Sequence, residues 1–123
     1  MTLSDVIKPG GRGVISTASA DGVPNSAIYA HPHIINEETL AWGMTENRTW
    51  KNVRENPHAA YLYMNPGPGF SGVRLVLKLH KMEDSGSMLD EIKAHTAEIV
   101  SKNAGSAVKH VAYFKVTERR PLV

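Results

Sequence analysis

The chain has 123 residues, enough for one hydrophobic core and too few for two, so a single domain over residues 1–123 is expected. Apolar residues make up 41% and charged residues 21%; 14 basic against 12 acidic side chains leave a formal charge of +2, too small for a dedicated nucleic-acid binder but compatible with one small anionic ligand. Cysteine is absent, which excludes disulfides, thiolate catalysis and zinc–cysteine sites, and no apolar run approaches the roughly 20 residues that cross a bilayer.

Met1 to Lys8 lacks the charged-then-apolar plan of a signal peptide, so a cytoplasmic protein without membrane attachment is expected. Residues 1–12 read as a short helix or arm closed by Pro9-Gly10-Gly11. Gly13 to Ala18 is rich in β-formers, and Ala20-Asp21-Gly22 supplies a turn. Asn25 to Ile35 is a second extended run, Asn36-Glu37-Glu38 another turn, and Thr39 to Met44 a third strand; an antiparallel meander is expected. A helix follows, and Asn56-Pro57 stops it because proline disfavours helix in the residue before it. His58 to Met64 is the fourth strand, Pro66-Gly67-Pro68-Gly69 a punctuated loop, and Val73 to Leu79, alternating apolar and polar, the fifth.

Ser87 with Asp90 three residues on forms a capping-box pattern for a longer helix, with Gly105 just past its end. Leu89, Ile92, Ile99 and Val100, with Thr96 between them, fall on one face of it at helical spacing. Val111 to Thr117 is the closing strand. The expected fold is mostly β: a six-stranded antiparallel barrel with one amphipathic helix covering an opening.

The most informative segment is Thr45-Glu46-Asn47-Arg48-Thr49-Trp50-Lys51, where the third strand gives way to a helix. Hydroxyls at Thr45 and Thr49 and cations at Arg48 and Lys51 crowd into seven residues. A helix start offers unpaired N–H groups and a partial positive charge, and hydroxyls with point cations are what a phosphate monoester needs. The same residues also suit an ordinary surface helix start, capped by threonine or asparagine.

This order of elements resembles the FMN-binding split-barrel family of the pyridoxamine 5′-phosphate oxidase type. Three pieces carry the resemblance: Gly13 to Thr17 followed by Asp21-Gly22-Val23-Pro24, the segment from Thr45 through Lys51, and the Asn56-Pro57-His58-Ala59-Ala60 junction. It covers residues 10–83 well and the C-terminal third in outline, and the short length is that of the minimal flavin-binding members. The resemblance implies a homodimer with FMN at the subunit interface. It makes Arg48, Thr49 and Lys51 the phosphate grip, places Met44 and Thr45 along the ribityl chain or ring edge, and sets Ser26, Ala27, Ile28 and Tyr29 beside the isoalloxazine. Two departures stand out: the second strand lacks the arginine and lysine typical of the oxidases, and Trp50 stands where many members carry a second cation. The resemblance implies a small oxidoreductase or electron carrier with a small-molecule or protein redox partner. An efficient pyridoxamine phosphate oxidase is not expected, because the arginine-rich C-terminal substrate segment is missing after Thr117. No catalytic acid or base is singled out.

Other readings remain. Within the same fold the ligand could be a deazaflavin or haem, and from another class the barrel could be a non-catalytic module for nucleic acid or protein. Gly67-Pro68-Gly69-Phe70-Ser71-Gly72 matches a dinucleotide pattern, but a β-patterned segment follows where a helix is required. His31-Pro32-His33 brings two imidazoles together without the further ligands of a metal site, so no metal is expected. His58, His80, His95 and His110 are scattered and receive no role. Tyr61 and Tyr63 share one face of the fourth strand and, with the loop from Pro66 to Gly72, are candidates for dimer packing. Arg74 and Lys78 lie on the polar face of the fifth strand, solvated or reaching a partner's flavin.

Overall fold

The computed structural model describes all 123 residues. Its elements run α1 (Leu3–Val6), β1 (Arg12–Ala18), β2 (Pro24–Ile28), β3 (His33–Asn36), β4 (Thr39–Met44), α2 (Arg48–Glu55), β5 (His58–Met64), β6 (Gly72–Glu83), α3 (Ser87–Ile99), α4 (Lys102–Ala107) and β7 (His110–Pro121). The strands form one antiparallel sheet of seven, ordered β2-β1-β5-β6-β7-β4-β3.

The strand count corrects the six expected from sequence. Asn25 to Ile35 is not one strand but two, interrupted over residues 29–32. Pro32 has no N–H to give a ladder, and the carbonyls just before it are taken by side chains: Trp42 Nε1 donates to Ala30 O at 2.9 Å, and the Tyr61 hydroxyl lies 2.9 Å from both Tyr29 O and Ala30 O. The chain therefore leaves the sheet at one edge, β2, and re-enters at the opposite edge, β3. Those two edges are joined by covalent chain and not by a hydrogen-bonded ladder, so the barrel remains split. The expected meander is also corrected: β4 pairs with β3 and β7, not with β2.

Strict alternation makes β1 and β5 half-buried. Ile15, Ala59, Tyr61 and Tyr63 point inward to meet Leu75, Leu77, Leu40, Trp42 and Phe114. Each fully buried side chain of this size contributes about 1.5–3 kcal/mol before entropy is subtracted. Tyr61 and Tyr63, proposed from sequence for dimer packing, are instead core residues with 1% and 0% exposure. The Tyr63 hydroxyl donates to Lys8 O at 2.6 Å and accepts from Gly11 N, which ties the N-terminal arm to the barrel. Outward from β5 face Ala60, Leu62 and Met64.

Asn47 caps α2, accepting from the Trp50 N–H, and Val53 and Asn52 bury it against β1, where Asn52 Nδ2 donates to Thr17 Oγ1 at 3.1 Å. The cap of α3 is Gly86, without a side-chain bond, so the capping box expected at Ser87 does not form. Gly105 lies inside α4 and not just past α3; a Cβ there would fall 2.7 Å from Lys93 O. Leu89 and Ile92 bury the helix, whereas Ile99 and Val100 stay exposed. The loop with the dinucleotide-like glycines connects β5 to β6 and opens no helix, which removes that reading. No helix is long and apolar enough to cross a membrane.

Candidate functional site

One cavity of about 740 Å³ opens beside the corner where β2 leaves the sheet. Its walls come from five places: Ile28 to Ile34 on the end of β2, the crossing segment and β3, Trp42 and Gly43 on β4 with Thr45 and Asn47 beyond it, Ile92, His95, Thr96 and Ile99 on α3, Val108 after α4, and Pro9 and Gly10 on the arm. Volume and lining are those of a small-molecule site, with apolar walls and a few convergent polar groups. Gly43 sets the approach of α3 to the sheet, since a Cβ there would lie 2.6 Å from Ile92 Cγ2.

The α2 start forms one pole. Asn47 occupies the N–H groups of Trp50 and Lys51, which leaves the Arg48 and Thr49 N–H groups without an intrahelical acceptor. Tyr29 reaches this pole: burial pushes its phenol up from the usual range, and the Asn47 and Thr49 side chains beside it pull partly back. Tyr29 also meets Trp42 edge-on, at 6.2 Å between centroids, so two aromatic rings lie along the cavity floor. At the other pole stand His31, His33 and His95. His31 Nε2 lies 3.1 Å from Ile7 O. Burial, then the neighbouring His95, hold the His33 ring below the usual histidine range, against a smaller opposing pull from Glu91. No group of three or more His, Asp or Glu side chains is placed to hold a metal ion.

Of the residues named from sequence, Ile28, Tyr29 and Thr45 line the cavity, and Arg48 and Lys51 stand exposed on α2. Thr49 is buried at 1% exposure beneath Tyr29, and Met44 points into the core. Ser26 and Ala27 run along the β2 edge outside the lining, with Ser26 Oγ 3.2 Å from Ser16 Oγ. Trp50 faces away from a phosphate role: its ring stacks on His110 at 4.8 Å, and its Nε1–H is buried without a partner. Sequence reasoning set Thr96 on the helix face without a functional role and gave His95 and His110 none. Helical spacing from Ile92 places Thr96 and His95 beside the apolar face; nothing local in the sequence marks His110.

No protein-family profile matches the chain, and no curated protein matches it. Solved structures do. An FMN-binding protein from Syntrophomonas wolfei superposes with a TM-score of 0.78 at 20% identity, over 90% of this chain and 76% of that one. A candidate pyridoxamine 5′-phosphate oxidase from Listeria innocua gives 0.70 at 20% identity, over 90% and 87%. An F420 reductase gives 0.76 at 13% identity, over 94% of each chain. A haem storage protein from Vibrio cholerae shares the fold as well, with a TM-score of 0.61. The split-barrel fold is thus established, and its structural neighbours include FMN-binding, oxidase-like and flavin-reductase proteins.

Proposed function

We propose that this split barrel binds FMN non-covalently and works as a small oxidoreductase or electron carrier. The observation that carries the reading is the cavity itself. It runs from a helix start with open N–H groups, Thr45 and Asn47 to a floor of Tyr29 and Trp42, matching a phosphate at one end and a flat ring at the other. The residues present fit the group. A phosphate at the α2 start would be met by the Arg48 and Thr49 N–H groups and by the Arg48 and Lys51 side chains. Bound flavin would supply one- and two-electron transfer at its ring, and the protein's part is to orient it and exclude water. Ile28 and Ala30 offer the ring an apolar edge and backbone groups, and Ile92 and Ile99 close the opposite wall.

The reading includes a homodimer. Ile28, Val14, Leu62 and Arg74 form a row across the outward face of β2, β1, β5 and β6, and Met64, further along β5 on the same side, extends its apolar part. Ile28 belongs both to this face and to the cavity, and it is 79% exposed. A second copy seated on the face would cover apolar surface and wall the cavity at once.

The neighbours also bring a second reading, a deazaflavin or haem, and the three histidines at the far pole are what favours keeping haem in view. A visible spectrum of freshly purified protein tests all three. Oxidised FMN gives two visible bands, a deazaflavin a single band at shorter wavelength, and haem a Soret band.

A further inference from the structure

His110 begins β7 and is buried, yet each ring nitrogen faces a carboxylate: Nδ1 lies 2.6 Å from Asp84 Oδ1 and Nε2 lies 2.9 Å from Glu46 Oε2. Both contacts are hydrogen bonds only when both nitrogens carry hydrogen. The ring lies nearly flat on Trp50, at 14° between planes, and the Arg54 guanidinium also stands over Trp50 at 4.4 Å. Asp84 belongs to the loop that leads into α3, one wall of the cavity. Glu46 lies in the chain between Thr45 and Asn47, which line another wall. One imidazole therefore ties two walls together. Glu46 is also the one acidic residue between Thr45 and Lys51, so left unpaired it would set a negative charge beside a helix start that offers itself to an anion.

We infer that His110 is a positioning residue for the anion-binding turn. As an imidazolium it draws the Glu46 carboxylate onto itself and offsets its charge, which leaves the α2 start free to take a phosphate group. Without that donor, Glu46 regains its field on the turn and phosphate binding weakens. The groups facing His110 are Glu46 from the β4–α2 turn, Asp84 from the β6–α3 loop and Arg54 from α2 through Trp50, with Lys109 adjacent in the chain. The inference rests on reading that turn as the phosphate pole.

The test compares wild type, His110→Gln, Glu46→Gln and the double variant. Affinities for FMN and for riboflavin are read by flavin fluorescence at pH 7. At pH 7, His110→Gln should weaken FMN by up to about fivefold, the size of one partly exposed charge interaction, and leave riboflavin unchanged. Adding Glu46→Gln should restore the affinity. Equal weakening of both flavins, or failure of Glu46→Gln to rescue, would overturn the inference. Should His110→Gln fail to fold, His110→Asn and its double variant with Glu46→Gln replace it and are read in the same way. Inorganic phosphate separates this inference from the flavin reading. Phosphate should raise the Tm of wild type and Glu46→Gln more than that of His110→Gln even in a protein that binds no flavin, and equal shifts would overturn the inference.

Discussion

The Tyr61 hydroxyl, on the central strand β5, lies 2.9 Å from the backbone carbonyl of Tyr29, at the point where the chain leaves one edge of the sheet for the other. The same hydroxyl is 2.9 Å from Ala30 O, so one side chain from the barrel interior holds the corner that floors the cavity. Gly13 makes room for it, since a Cβ there would fall on the Tyr61 hydroxyl. Removing the hydroxyl leaves the Tyr29 carbonyl without a partner, while Ala30 O keeps Trp42 Nε1. Tyr61→Phe should therefore destabilise the fold by about 1–3 kcal/mol in urea unfolding. Gly13→Ala should cost more, because the inserted methyl displaces the ring as well. Unchanged midpoints would show that the corner is held by other contacts.

The phosphate pole makes a second prediction. Arg48→Ala and Lys51→Ala should each weaken FMN by about tenfold or more, as the loss of one charge-assisted hydrogen bond implies. Riboflavin, which lacks the phosphate, should be nearly indifferent. Equal losses for both ligands in isothermal titration would move the phosphate elsewhere.

Assembly makes a third. Leu62 is 37% exposed in the middle of the outward apolar face, beside Arg74 in the next strand. Leu62→Lys should add a charge that a second copy would have to bury, giving a monomer in sedimentation and a loss of bound flavin. A wild-type monomer that retains stoichiometric FMN would contradict the two-copy site.

Tyr113 gives a pH prediction with a defined sign. Burial, and then its hydroxyl bond to Glu83 Oε1 at 2.6 Å, push its phenol up from 10 to about 12. The folded protein thus keeps a proton that the unfolded chain releases first. The contribution is fully present below pH 10 and is lost as pH rises from 10 towards 12. Tyr113→Phe should flatten that part of the fall in urea midpoint between pH 9.5 and 12, with Tyr29 and Tyr61 contributing a remaining slope. Superimposable curves for the two proteins would refute the assignment.

Much of this architecture was legible in the sequence, for identifiable reasons. His58 to Met64 emerged with the right bounds because Asn56-Pro57 stops a helix and strict alternation follows. The α2 start was readable from its crowding of hydroxyls and cations. The break between β2 and β3 was not, because Pro32 sits in a run of β-formers and the side chains that take the Tyr29 and Ala30 carbonyls come from other strands. Nor could β5 show which side faces in. Ala59, Tyr61 and Tyr63 on one side and Ala60, Leu62 and Met64 on the other are both apolar, as expected of a strand with a core behind it and an unpartnered face in front. His110 was invisible in principle: its partners Asp84 and Glu46 lie 26 and 64 residues away. The flanks of the long helix misled because Gly105 looks like a helix terminator and instead serves close packing of α4 against α3.

The most direct measurement is the visible absorption spectrum of the protein as purified, with mass spectrometry of the ligand released on denaturation. A flavin spectrum with a released mass equal to FMN, near one per chain, is the predicted result. A colourless protein that takes up no added FMN, or one that yields a Soret band and releases haem, would contradict it.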